Sequence, residues 1–404
     1  MSRVCVIRQF YFPDDPRVRN QVRALEAEGH DVDVICLRRS GQPRFEQAGR
    51  VTIRRLALSH QRGGKLRYLA AYSAFFALAA LWTTALHLRR GYGVIVTHSL
   101  PDTLVFTTIV PKLMGAKIVL DLHECMPEFF ATKFGVTERH PAVKVIAWLE
   151  QASIRMSDFA ITCNEPMRRV FLDRGADPHR IGVVMNSADE TIFRAGAVVA
   201  AQGREPGRFT IVSHGTIEGR YGLDTAVRAI ALLRDEIPGL RLQIFGEGPQ
   251  ERELRWLARR LGVEDRIWFG GYVPRDDLLR AIEAADAGLV ATKRDAFRDL
   301  THCLKMFEFV SMQKPVICSR IPAVEACFDE ESFLYFAAGD ERDLARAIKR
   351  LQSEPDMSER LVVRATIANE PFRWRRQREI YLSLMKPMLA GRSPNPRRHN
   401  KLDN

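Results

Sequence analysis

One stretch restricts the fold of this chain more than any other. An apolar run at residues 209–212 empties into the glycine-bearing turn Ser213-His-Gly-Thr-Ile-Glu-Gly-Arg-Tyr-Gly222, and a helical pattern leaves it over residues 223–233. A glycine turn between strand and helix sets backbone amides beside the positive end of a helix dipole, which suits phosphate. The same half repeats the device in Ile244-Phe-Gly-Glu-Gly-Pro249. With Glu308 on the helical segment that begins at Lys305, these two turns point to a site for a nucleoside diphosphate.

The rest of the chain follows the same alternation. Strands are predicted at residues 4–7, 32–36, 51–56, 94–97, 117–120 and 159–162. Helices are predicted from Pro16 to Gly29, with Asp15 as N-cap, and over residues 66–88, 104–114 and 142–156. After residue 209 come strands at 242–245, 267–269, 287–290 and 316–318, with helices at 250–261 and at 276–284, the latter capped by Asp276. Strand–helix alternation implies parallel sheets covered on both faces. The predicted fold is therefore α/β, with two Rossmann-like doubly wound domains facing across a cleft. The first domain covers residues 1–193, a linker without apolar periodicity covers 194–208, and the second domain covers 209–370. The polar, basic tail 391–404 is read as disordered.

Composition narrows the partners. The net charge of +12 favours anionic ones, such as nucleotides or a phospholipid surface. Nucleic acid is not expected, because no zinc-finger, basic-zipper or aromatic RNA-binding signature occurs. The seven cysteines are scattered, odd in number and without a Cys-x-x-Cys pair, which speaks against a disulfide framework or zinc site and for a reducing compartment. No signal peptide precedes the first strand, so a cytoplasmic protein is expected.

Residues 68–86 contain no Lys, Arg, Asp or Glu and approach the ~20 residues that span a bilayer. A single crossing would separate the strands on either side of this helix, although both belong to one sheet. A buried helix and an interfacial one remain, and the basic flanks Lys65, Arg67, Arg89 and Arg90 favour contact with an anionic membrane.

Taken in order, the motifs resemble the retaining, nucleotide-sugar-dependent glycosyltransferases of family 4, which have the GT-B fold. The likeness runs from Asp15-Pro-Arg-Val-Arg19 through Asp121-Leu-His-Glu124, Pro127-Glu128 and Asn186-Ser-Ala-Asp189. It continues through both glycine turns, Gly271-Tyr-Val-Pro274, Phe307-Glu308 and Phe372-Arg-Trp374, where the family's last helix (residues 371–390 here) crosses back onto the first domain. Three departures stand out. The first of the family's paired glutamates falls on Leu300, with Asp299 beside it as the candidate to substitute. Thr216 and Tyr221 stand where basic residues are common. Phe12-Pro-Asp-Asp15 replaces a Gly-Gly turn.

The resemblance implies a transfer of a sugar from a nucleoside diphosphate to a glycan or lipid-linked hydroxyl, at the inner face of the membrane, with no metal and no cofactor. His123, Arg220 and Glu308 form the implied catalytic set. Arg220 would neutralise the departing diphosphate, Glu308 would accept the ribose hydroxyls, and His123 would bond the donor sugar. Gly215, Thr216, Gly246, Gly248, Tyr272, Val273, Pro274, Asp299 and Lys305 would line the donor side. Glu124 and Glu128, one turn apart if helical, would hold the acceptor, but they read equally well as an ordinary exposed pair. A sugar-nucleotide epimerase of the same fold and a non-catalytic nucleotide-sugar binder are the alternatives.

Overall fold

The computed structural model describes residues 1–58, 65–196 and 207–390. The chain forms two compact units, Ser187–Trp374 and the remainder, Met1–Asn186 with the chain from Arg375. The boundary thus falls at Asn186, ahead of the predicted linker. Residues 197–206 of that linker, and the whole tail 391–404, lie outside the described residues.

The first unit is built on β1 (Arg3–Tyr11), α1 (Pro16–Ala27), β2 (Asp31–Leu37), β3 (Phe45–Ala48), β4 (Val51–Leu56), α2 (Lys65–Arg90), β5 (Val94–His98), α3 (Ile109–Leu113), β6 (Lys117–Leu122), α4 (Met126–Phe134), α5 (Pro141–Met156), β7 (Phe159–Thr162), α6 (Glu165–Asp173) and β8 (Ile181–Val183). The eight strands order as β3-β4-β2-β1-β5-β6-β7-β8. All pairs are parallel except β3–β4, an antiparallel edge. That edge strand has no apolar run: Phe-Glu-Gln-Ala is mostly exposed, so its sequence carries no core signal. Asp15 caps α1 by accepting from the amides of Arg17 and Val18, with Pro16 at its start. The predicted helix 104–114 divides into a 3-10 segment, Asp102–Thr108, and the short α3.

The central strands are buried on both faces, which is why they read as continuous apolar runs. In α2, Phe75, Ala79, Thr83, Leu86 and His87 form one buried stripe at helical spacing. The helix links β4 to β5 of the same sheet, so it is a crossover element although its length and composition would allow a span.

The second unit is built on β9 (Phe209–His214), α7 (Leu223–Leu232), β10 (Leu240–Phe245), α8 (Glu251–Arg260), β11 (Ile267–Gly271), α9 (Arg275–Ala284), β12 (Ala287–Val290), α10 (Leu304–Ser311), β13 (Val316–Ser319), α11 (Pro322–Glu325), β14 (Leu334–Phe336), α12 (Glu341–Ser353) and α13 (Pro355–Ala368). Its six parallel strands order as β11-β10-β9-β12-β13-β14. The N-cap of α9 is Pro274, whose side chain makes no capping bond, and Asp276 lies in the first turn instead. Proline fixes φ for helix entry, and the helix begins at Arg275, two residues earlier than a cap at Asp276 would allow.

A last helix, α14 (Trp374–Leu389), belongs to the first unit. It buries Gln377, Tyr381, Leu384, Met385 and Met388, and the Gln377 side chain accepts from the Met185 amide at 2.7 Å.

Candidate active site

In both units the polar residues gather where parallel strands end at their carboxyl termini, the usual place for a ligand in such sheets. In the first unit, His98 ends β5 and Asp121 is the penultimate residue of β6, and the two lie opposite each other in register. Asp121 is wholly buried. From α1, Arg17 reaches it with Nη2 2.7 Å from Oδ1 and Nε 2.9 Å from Oδ2. Gln21, one turn further along α1, donates to Oδ2 at 2.6 Å. Arg17 also donates to the Val184 carbonyl at 2.6 Å and to Asn186 Oδ1 at 3.1 Å. Burial alone would raise the Asp121 carboxyl, but the adjacent guanidinium outweighs it and holds Asp121 well below the carboxylate range.

His123 follows β6. Its ring nitrogen Nε2 lies 3.1 Å from His98 Nδ1, and its amide donates to Ser99 Oγ at 2.9 Å. Burial, with Arg8 nearby adding to it, drives the imidazole well below its ordinary value, so His123 is neutral and polarises a partner by hydrogen bonding. Arg8 pairs with Asp15 at 3.0 Å and donates to the Ser99 carbonyl.

His98, Asp121 and His123 bring ligand atoms within 4.8 Å of one another, a grouping that three such side chains could offer a metal. The Asp121 oxygens, however, already receive Arg17 and Gln21. A dication beside that buried guanidinium would meet like charge in low dielectric. With the Asp121 charge already matched by Arg17, the donor set fits a hydrogen-bonded cluster better than a metal centre.

The acidic pair separates. Glu124 lies ahead of α4, outside the helix, so it is not stacked one turn from Glu128. Glu128 is buried and paired with Arg174, which also holds Glu150 at 2.9 Å. Placing Glu128 on the acceptor side is therefore corrected: its carboxylate ties α4 to α5 and α6.

In the second unit the two glycine turns pack on each other. A Cβ on Gly246 would stand 2.0 Å from the Gly215 carbonyl oxygen, and one on Gly248 2.1 Å from that of Ile217. Their absent side chains permit cross-loop bonds: the Gly215 amide donates to the Phe245 carbonyl, Ile217 to Glu247 and Gly246 to Gly271. The amides of Gly215, Ile217 and Gly246 are thus committed within the protein. Gly215 differs from the others, with φ +111° and open space where a Cβ would stand. It leaves room for a ligand above exposed Thr216.

Arg220 pairs with Glu218 at 2.7 Å and is about a third exposed. Its guanidinium lies 5.3 Å from the centre of the Tyr221 ring. Lys305 is buried in the first turn of α10, with Nζ 5.2 Å from the same ring. Glu308, one turn on, is buried with Oε2 3.3 Å from His214 Nε2. Burial raises its carboxyl to about 7 despite Lys305, while burial and Lys305 press His214 down to about 3. Asp299 faces Arg294 in a bidentate pair of 2.9 and 2.6 Å. Tyr272 is 84% exposed, in the loop of Val273 and Pro274 that follows β11.

Four residues of these clusters were given no role from the sequence: Arg17, His98, His214 and Arg298, whose guanidinium lies 5.3 Å from the Tyr221 ring centre. Three had a local signal. His98 and His214 are the polar residues that end apolar strands, and Arg17 follows the Asp-Pro helix start. Arg298 had none.

Two family models match the chain, "Glycosyl transferase 4-like domain" over residues 15–187 and "Glycosyl transferases group 1" over residues 208–354. A D-inositol 3-phosphate glycosyltransferase of Acidothermus cellulolyticus is 28% identical over 387 residues, spanning 92% of this chain and 84% of the relative. Among solved structures, a sucrose-phosphate synthase of Thermosynechococcus elongatus superposes with a TM-score of 0.78 at 20% identity, covering 96% of this chain and all of that one. The Anabaena protein HepE, solved with UDP-glucose, gives a TM-score of 0.71 at 15% identity with 96% and 100% coverage.

Proposed function

Because the chain belongs to the retaining, nucleotide-sugar-dependent glycosyltransferases of family 4, with the GT-B fold, we propose that it glycosylates a glycan or lipid-linked hydroxyl at the inner, cytoplasmic face of a membrane. The observation that carries the donor half of this reading is the cluster of Arg220, Lys305 and Glu308 beside the open space over Gly215. Cationic groups there would stabilise the charge that grows on the departing diphosphate. Neutral His123 would bond a sugar hydroxyl, and acceptor attack on the face that the diphosphate leaves would give retention. The leaving group would need no metal, because arginine supplies the charge. Transfer is expected to persist in EDTA, with the product anomer read by NMR; dependence on an added dication would refute that part.

The membrane half rests on an apolar face of the first unit. Outward from the buried stripe of α2 stand Leu81 (66% exposed), Trp82 and Leu88. The neighbouring α3 segment exposes Ile109, Val110, Leu113 (83%) and Met114. So much contiguous apolar surface is unusual on a protein that meets only water. Exposed Arg89 and the net charge of +12 suit anionic headgroups. Replacing Leu113 with Asp is expected to weaken sedimentation with phosphatidylglycerol vesicles about tenfold, with thermal unfolding unchanged. Equal sedimentation of the variant would refute the assignment of this face.

Glu308 sets a pH dependence. Ribose hydroxyls donate to a carboxylate, so the ionised form binds nucleotide. With the free carboxyl at about 7, affinity for the preferred nucleoside among uridine, guanosine and adenosine should fall as pH drops from 8 to 6. The slope approaches roughly tenfold per unit below the midpoint and disappears in Glu308→Gln. Without ligand the sign reverses: a carboxyl raised from 4.5 to about 7 costs stability as pH climbs through that window. Calorimetric titrations that show a flat profile in the native protein would remove Glu308 from the ribose site.

A further inference from the structure

Arg298 lies in the 3-10 turn Arg298–Leu300, in the loop between β12 and α10. Its amide is pinned by Asp295 Oδ1 at 2.7 Å, which holds the turn rigid. The side chain is only 9% exposed, and its Nε has no hydrogen-bond partner among the described residues. No carboxylate pairs with it there. Its guanidinium lies 5.3 Å from the Tyr221 ring centre and 4.8 Å from that of Phe297. A buried guanidinium ordinarily requires a counter-charge, and aromatic faces replace only part of its lost hydration. Lys305 is buried just as deeply, and burial lowers its ammonium.

Tyr221 is therefore surrounded by three cations from three separate elements. Arg220 comes from its own turn, Arg298 from the loop after β12, and Lys305 from the start of α10. The α10 N-terminus has no side-chain cap and no acidic residue in its first turn. Of the three cations, Arg220 alone has a carboxylate in a salt bridge among the described residues, that of Glu218. The amides of Gly215, Ile217 and Gly246, by contrast, are already bonded.

We propose that Arg298 is a donor-diphosphate ligand of this enzyme and supplies, with Lys305, the cationic charge that Thr216 and Tyr221 lack. The inference rests on the donor-site reading above and adds a residue to it. The guanidinium would receive a phosphate oxygen of the nucleoside diphosphate, through its forked donors, opposite Arg220. Tyr221 then acts as a platform that keeps the cations apart before the anion arrives.

Calorimetric titration of the full chain with inorganic pyrophosphate, with UDP, GDP and ADP, and with the matching nucleosides tests this. The native protein is expected to bind pyrophosphate and at least one diphosphate. Arg298→Met should lose about 10- to 100-fold in affinity for pyrophosphate and for that diphosphate, with nucleoside affinity unchanged. Arg298→Lys should fall between, because the charge stays while the fork is lost, and it serves as the folded control if the methionine variant is unstable. A diphosphate affinity within threefold of native in Arg298→Met, or an equal loss of nucleoside and diphosphate affinity, overturns the proposal. If the native protein binds none of these probes, the donor-site reading itself falls.

Discussion

Arg220→Ala is expected to lower transfer from the nucleotide sugar by roughly 10²- to 10³-fold, the usual loss when one donor aimed at a developing oxyanion is removed. In the free protein Arg220 is occupied by Glu218, but that pair is partly exposed. Exposed pairs contribute about 0–1 kcal/mol, so a doubly charged diphosphate displaces Glu218 easily. The loss should appear in kcat as well as in KM, because charge on the leaving group grows toward the transition state. Thermal unfolding should hardly move. Glu218→Gln should leave transfer near native or raise it, by releasing the guanidinium. Steady-state assays with the preferred donor decide: an Arg220→Ala enzyme within tenfold of native activity would show that charge at this turn does not drive departure.

The second large effect is on stability. Arg17→Met should destabilise the first unit by about 3–5 kcal/mol, because it leaves a buried carboxylate without its counter-ion. The pH dependence separates this cause from lost packing. In the native protein the Asp121 carboxyl is depressed, so its contribution is present above the unfolded value and is lost as pH falls toward the lower folded one. Without Arg17, burial dominates and the folded carboxyl rises. The variant should then lose stability as pH increases through the range above the unfolded value, the opposite slope. Adding Asp121→Asn should recover much of the loss and flatten the profile. Urea unfolding of the three proteins at pH 5 and pH 8 measures all of this. A single variant within about 1 kcal/mol of native, or one with no change of slope, would mean that solvent reaches Asp121.

These two residues differ in how they can be found. Arg220 is visible in the chain because its turn is local: strand, glycine, cation and helix follow one another within a few residues. Arg17 also lies in a local signal, the capped start of α1, yet nothing nearby tells which carboxylate it meets. Asp121 is more than a hundred positions away and reaches it only because β6 lies two strands from β1 in the sheet. The same holds for His98 and His123, which adjacent strand ends bring within 3.1 Å. Asp299 illustrates the converse. Its place in the motif suggested a ligand, and no motif told that Arg294, five residues earlier, pairs with it in the free protein.

Periodicity and turn chemistry, which act over one turn or one strand, determined from the sequence alone that this chain alternates strand and helix, where most elements begin, and that a glycine-bearing turn follows β9. The tertiary structure alone decided which charges meet. It tied the amides of Gly215, Ile217 and Gly246 to protein carbonyls, gathered Arg298 and Lys305 around Tyr221, and withdrew Glu128 into a pair with Arg174. The reason is one of range. Backbone preference is settled by neighbours along the chain, whereas a buried charge is stabilised or stranded by whatever the sheet order carries to within a few ångströms of it.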